Sequence, residues 1–298
     1  MSIQKLDIMV LESLIDPRTA KKRPLKLFLI GLLFSSMSIL FSLWVFKAQT
    51  SLIMVFLTVV VSVPLMYATI EDEEEEDWKD ESEMTILKEH SKAIVFLTFL
   101  FLGFVVSFSL WFIFLPQSTV NLMFSSQLET IEAINSNVVH FMTSNIIDYK
   151  LGFTTFLGIL SNNVKVLIFC IFFAFFFGAG SIFILTWNAS VIAAAVGTYF
   201  RNFLGNYAGI FGFNKIAMYL HIFSLSIMRY MIHGVFEIIA YFIGGLAGGI
   251  ISIGIINHGA NTKKFKNVMF DALILMLIAI ILLVVGALVE VFITPLLF

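Results

Sequence analysis

Residues Arg229–Gly249, RYMIHGVFEIIAYFIGGLAGG, decide the fold. The stretch lies inside an apolar run long enough to cross a bilayer, yet it carries Arg229, His233 and Glu237 at intervals of four. On a helix these fall on one stripe, with Glu237 about 12 Å along the axis from Arg229. A charge at the centre of a membrane helix costs about 2.5–3.5 kcal/mol on insertion scales, so such side chains face protein or a wet cavity. Gly244, Gly245, Gly248 and Gly249 follow. The pairs Gly244/Gly248 and Gly245/Gly249 have the small-xxx-small spacing that lets helix backbones approach closely. The first half of the helix is therefore polar on one side, and the second half is thin.

The composition agrees with a membrane solvent. Of 298 residues, 59% are hydrophobic and 13% charged, against about 25% charged in a soluble domain; the mean hydropathy is +0.99. Repeated apolar runs of about 20 residues predict an all-α polytopic membrane protein with about seven transmembrane helices. No short apolar segment is followed by a small-residue cleavage site, so the first run is read as a retained span rather than a signal peptide. One cysteine, Cys170, excludes an internal disulfide framework and a cysteine-based metal site; it reads as a small packing residue.

Outward from that stretch, residues 1–24 form a basic, amphipathic N-terminus, with Ile3, Leu6, Val10 and Leu14 at helical spacing up to Asp16-Pro17. Arg18, Lys21, Lys22, Arg23 and Lys26 crowd the first span and place this end in the cytoplasm. Residues 25–70 read as a two-span hairpin, with Pro64 expected to kink its second helix. The block from Glu71 to Glu89 holds eleven acidic residues. It makes 71–92 an acidic cytoplasmic linker, read first as a solvated helix and second as a dock for a basic partner. A calcium loop is excluded by the absence of a turning glycine. Residues 93–298 form the main membrane domain. Its third span runs to Leu115-Pro116, and 117–163 reads as an extracytoplasmic segment with interfacial helices at Val138–Ile147 and Phe153–Leu160. The region 166–200, interrupted at Thr186–Ser190, is expected to be two short spans or a re-entrant pair hinged near Asn188. Two crossings there keep Lys263, Lys264 and Lys266 inside, as the positive-inside rule favours. Residues 201–222 read as an outer loop, 225–253 as the pivotal span and 268–289 as the last, with an extracytoplasmic C-terminus.

Three motifs in order now point to a family. His233-Gly234-Val235-Phe236-Glu237, followed by the Gly244–Gly249 cluster, resembles the HG-x-x-E … G-x-x-G segment of the stage II sporulation protein M family. The ending Val289-Glu290-Val291-Phe292-Ile293-Thr294-Pro295 resembles that family's IE-x-F-x-TP, and Gly178-x-Gly180 followed by Asn188 resembles its central G-x-G … N helix pair. Ile232 stands where many members have proline, and Ala189 where many have glycine. The resemblance covers about residues 90–298. The first two spans and the acidic block resemble the N-terminal extension of archaeal members. The resemblance implies a membrane subunit that positions peptidoglycan-degrading enzymes in sporulating bacteria without being the hydrolase. Members also occur in archaea lacking murein, so architecture is implied more firmly than biochemistry.

The candidate site residues are an intramembrane polar network of Arg229, His233, Glu237, Asn188 and Glu290, and helix-packing glycines Gly178, Gly180, Gly244, Gly245, Gly248 and Gly249. The plainest reading has His233 bridging Arg229 and Glu237 and pinning helices together. Glu237, the deeper residue, must be paired or protonated, whereas Arg229 can snorkel to the interface. A proton or substrate pathway is the sharper alternative. A metal site needs a third ligand beyond His233 and Glu237, and nothing in the sequence brings Glu290 or His221 to them. No nucleophile elbow, phosphate loop or dinucleotide fingerprint is present, so no cofactor and no catalytic set are expected. The expected role is a non-catalytic plasma-membrane scaffold in the lipid bilayer, with protein partners at 71–92 inside or 117–163 outside, a homo-oligomer being compatible and nucleic acid not. A small transporter is the alternative, and an intramembrane metallopeptidase is disfavoured by the missing paired-glutamate motif. Sided cysteine labelling in a Cys170-free background checks the topology: position 264 should react from the cytoplasmic face, and reaction from outside would overturn seven crossings.

Overall fold

The computed structural model describes residues 24–76, 83–132, 149–177, 180–205, 213–258 and 262–297. It is all-helical among these, and seven helices are long and apolar enough to cross a membrane. We number the helices α1 (Pro24–Val45), α2 (Thr50–Glu76), α3 (Glu83–Phe114), the short α4 (Gln117–Met123), α5 (Tyr149–Phe177), α6 (Ser181–Gly205), α7 (Phe213–His258), α8 (Lys263–Leu288) and the terminal turn α9 (Thr294–Leu297). Local chemistry sets several ends. Pro24 opens α1, where its missing N–H is not needed. α3 ends just before Leu115-Pro116, because a residue preceding proline disfavours the helical conformation. The Thr262 side chain accepts the backbone N–H of Phe265 and caps α8. Pro64 lies inside α2, which continues through it.

The organising stretch lies on α7, which packs against α2, α3, α5, α6 and α8. At 46 residues α7 is about 69 Å long, more than twice the roughly 30 Å hydrocarbon core. The expected outer loop at 201–222 is thus shorter: α6 runs to Gly205 and α7 already begins at Phe213. Residues 206–212, with two of the loop glycines, lie outside the described residues, as do the proposed N-terminal amphipathic helix at 1–23, the expected interfacial helix Val138–Ile147 and residues 77–82 of the acidic block.

The fourth span departs from the sequence reading. α5 is one helix of 29 residues, crossing at Gly152–Phe176, so Phe153–Leu160 belongs to a span and the non-spanning segment ends before Tyr149. Asn162, Asn163 and Lys165 depress the local hydropathy and mimic a span boundary, but their backbone groups stay in the helical ladder. The break follows Phe177 and precedes Ser181, not Asn188, and α5 and α6 are full-length spans instead of half-helices. Asn188 sits in mid-α6 and returns its amide to the Ile184 carbonyl at 2.9 Å. This satisfies the side chain locally without breaking the helix.

Glycines fix the packing. A methyl group at Gly248 would lie 2.5 Å from the Ile171 backbone oxygen of α5, and one at Gly245 would lie 2.6 Å from Ser181 Oγ at the start of α6. At Gly249 it would lie 2.7 Å from Ile70 of α2, and at Gly244 it would overlap Leu167 of α5. One short stretch of α7 therefore admits three neighbours at near-backbone distance. The two N-terminal spans are held just as closely. Methyl groups at Gly31 and Gly103 would strike the backbone oxygens of Leu100 and Phe28 respectively, so α1 and α3 touch backbone to backbone. Beside that contact Ser36 and Ser107 hydroxyls lie 2.9 Å apart, and Trp111 Nε1 donates to Ser36. Fully buried Phe96, Phe101, Phe104 and Phe108 of α3 fill the interior, and Phe101 meets Phe242 of α7 edge-on.

Two polar devices close the end of the bundle where α3 finishes. Arg201 of α6 donates to the backbone oxygens of Phe112, Ile113 and Leu115 and to Gln117 Oε1, and lies over the Phe112 ring. A cation on the orphan carbonyls of a helix C-terminus complements both their hydrogen bonding and the helix dipole. Fully buried Gln127 accepts from Ser51 Oγ of α2 at 2.8 Å and donates to Ser190 Oγ of α6 at 3.1 Å. It ties the segment after α3 to both helices.

The two kinds of glycine contact predict different tolerances. Gly248→Ala should lower detergent thermostability by about 1–3 kcal/mol, since a backbone oxygen cannot rotate away. Gly244→Ala, facing the end of a leucine side chain, should be milder. Equal melting temperatures for both variants and the parent would mean that α7 does not touch α5 there.

Candidate functional site

The polar stripe of α7 faces the end of α8 in antiparallel register. His233 Nδ1 lies 3.3 Å from Thr294 Oγ1, and the carboxyls of Glu237 and Glu290 meet in a side-chain hydrogen bond. The residue numbers in each pair have the same sum, as two antiparallel helices at one pitch require. Gly286, one turn before Glu290, makes the approach possible: a methyl group there would sit 3.3 Å from Phe236 Cβ and 3.4 Å from Glu237 Cγ. Glu290 lies in a π turn, Val289–Ile293, that joins α8 to α9. The Thr294 hydroxyl returns to the Val289 carbonyl five residues back, at 3.2 Å. A π turn inserts one residue, about 100° of rotation, into a helix. Glu290 and Thr294, four residues apart, both face α7.

α5 supplies the third wall. Buried Asn163 donates Nδ2 to Glu237 Oε1 at 2.6 Å. Tyr241, one turn beyond Glu237, is buried within electrostatic reach of both glutamates. At the other end of the stripe the Arg229 guanidinium lies 5.3 Å above the Tyr199 ring of α6, and its side chain also hydrogen-bonds Tyr230.

These contacts revise the expected bridge. Glu237 is engaged by Asn163 and Glu290, and His233 is engaged by Thr294 rather than by Glu237. Arg229 faces α6, His233 faces the end of the last span, and Glu237 faces both that span and α5, because successive fours on a helix drift around its axis. Asn188 is not part of the cluster; it serves α6 internally. Gly178 lies outside the described residues, and Gly180 accepts the N–H of Phe183 in the first turn of α6. Asn163, Tyr241 and Gly286 carry no site role in the sequence reading, and Thr294 enters it only as part of the closing motif. Asn163 carries a signal, two consecutive asparagines within an apolar run, that in sequence looks the same as the end of an outer segment. Thr294 and Gly286 become meaningful only once the register with α7 is known.

Chemically, two facing carboxyls can hydrogen-bond to each other only when one of them carries a proton, since an ionised carboxylate is an acceptor only. Asn163 then supplies a donor to the oxygen left over. The cluster can therefore bind helices or retain a proton. Among the described residues no three His, Cys, Asp or Glu side chains converge as a metal-binding group, and His221 is exposed on α7, about 18 Å along the helix from His233.

The fold and this seam define a seven-helix polytopic membrane protein whose two most polar motifs meet between its last two spans. The family model for Stage II sporulation protein M matches residues 92–295, and the chain belongs to that family. The match takes in most of α3, all of α4 to α8 and every member of the cluster, and leaves α1 and α2 outside it. No curated protein and no solved structure matches the chain.

Substitutions at Glu237 separate packing from isostery. Glu237→Gln keeps an accepting oxygen for Asn163 and gives Glu290 a permanent donor, so thermostability should change by less than about 1 kcal/mol. Glu237→Ala orphans both partners and should cost about 1–3 kcal/mol. In a double-mutant cycle, Asn163→Ala should add little once Glu237 is Ala; full additivity would place Asn163 on some other partner.

Proposed function

We propose that this protein is a non-catalytic membrane scaffold or assembly subunit that positions other cell-envelope proteins, with its N-terminus cytoplasmic and its C-terminus extracytoplasmic in the plasma membrane. The observation that carries this reading is the pairing within the polar stripe. His233 is matched by Thr294, Glu237 by Asn163 and Glu290, and Arg229 by Tyr199, each across a helix boundary. Side chains spent on one another hold a bundle in a fixed shape, which is what an assembly platform requires. Family membership supports the same role, as does the close glycine packing of α7.

A second reading, a small permease, rests on the carboxyl pair, because a proton held in a membrane helix seam is a recurrent element of proton relays. The apolar groove of about 370 Å³ between α1 and α2, lined by residues such as Phe34 and Leu57, is made by helices other than those of this seam. One substitution divides the readings. A strain lacking the gene should be rescued by the Glu237→Gln variant to within about twofold of the parent, because the amide preserves the packing. Loss of rescue with unchanged membrane abundance and thermostability would exclude the scaffold and favour the proton-handling role.

A further inference from the structure

α5 carries an anomaly on its open face. Gly158, Ser161, Asn162 and Lys165 are all exposed, at spacings that put them on one side of the helix. No atom outside the helix lies within 4 Å of a methyl group placed at Gly158. Lys165 makes no ion pair or hydrogen bond among the described residues. Yet the span runs from Gly152 to Phe176, so Lys165 lies about 20 Å from one end and about 17 Å from the other. Half of the hydrocarbon core is about 15 Å, which puts this lysine near the midplane, and its four-carbon stem bridges only a fraction of the distance to either interface. The next turns change character: exposed Ile168, Phe169, Phe172 and Phe176 are what a lipid-facing surface should carry. The polar patch thus has a sharp lower edge.

We propose that this face of α5 receives a transmembrane helix of another membrane protein, with a small residue over Gly158 and an aspartate or glutamate against Lys165. Three features argue for that occupant. Small residues let two helices approach closely in a bilayer, where lipid offers no hydrophobic drive between them. An ammonium near the midplane needs a counter-charge, and a carboxylate supplies one. A second copy of this chain would bring like to like: two parallel α5 helices related by a two-fold axis through this patch set Lys165 against Lys165. The proposal deepens the assembly role by naming a docking surface, and it rests on that role only for the existence of a partner.

The test uses the full chain in its own membrane. A photo-crosslinking amino acid at position 161 or 162 should capture a second polypeptide, and one at exposed Leu273 of α8 should not. Lys165→Glu should lower the yield at least tenfold with abundance unchanged, and replacing the facing carboxylate of the captured helix by lysine should restore it. Gly158→Leu should also reduce capture by several-fold while leaving thermostability unaltered, since no described residue lies against that position. Capture of a second copy, lipid adducts alone at both positions, or insensitivity to Lys165→Glu would overturn the proposal. If partners are captured from Leu122 instead, the assembly role stands and this surface falls; if no position captures a protein, both fall.

Discussion

Close helix approach at Gly244–Gly249 is the constraint from which the rest follows. In water an apolar helix face is driven inward by solvent; in lipid that drive is gone, and close dispersion contact must do the work. A strip of α7 without side chains lets α2, α5 and α6 reach it together. That geometry fixes where α5 lies, and so fixes the height of Asn163 relative to Glu237. The Gly31–Gly103 contact does the same for α1 and α3. It makes the first two spans part of the same packed body, although the family match begins only at residue 92.

What the sequence revealed was governed by whether a signal is local. Helix identity and membrane solvent are local, and the seven spans were legible from apolar runs. The role of Gly244, Gly245, Gly248 and Gly249 as contact points was legible too, because small residues at fixed spacing have few other uses in a span. The boundaries of α5 and α6 were not. Hydropathy charges Asn163 its full transfer cost, whereas in the fold its amide is already bonded to Glu237. Thr186–Ser190 looked like a break, but Asn188 and Ser190 bond to carbonyls of their own helix. A polar residue that finds a partner within the membrane reads in sequence like a residue that leaves it.

The partners of Glu237 show the limit of intrahelical reasoning. His233 and Glu237 are one turn apart and could face each other, and on an isolated helix they would be each other's nearest polar neighbours. In the bundle, the direction of each side chain is chosen by the helix it meets. The end of the last span, the π turn and α9 that follow α8, offers Thr294 to one and Glu290 to the other, and α5 reaches Glu237 from the other side. The family motifs around His233 and Glu290, separated by more than fifty residues of sequence, are therefore two halves of one seam.

That seam also explains the division of α7 into a polar and a thin half. Glu237 needs Asn163 and the end of the last span held in one geometry, since a shift of either helix would leave a buried donor or acceptor unmatched. The glycine half restrains that register: methyl groups at Gly244 and Gly248 would overlap the Leu167 side chain and the Ile171 backbone oxygen of α5, so the two helices sit too close to slide freely along each other. Packing in one half of the helix thereby sets the register for hydrogen bonding in the other. Lys165, on the exposed face of α5, lies outside this arrangement: the seam around Glu237 is matched without it, and among the described residues no side chain pairs with it.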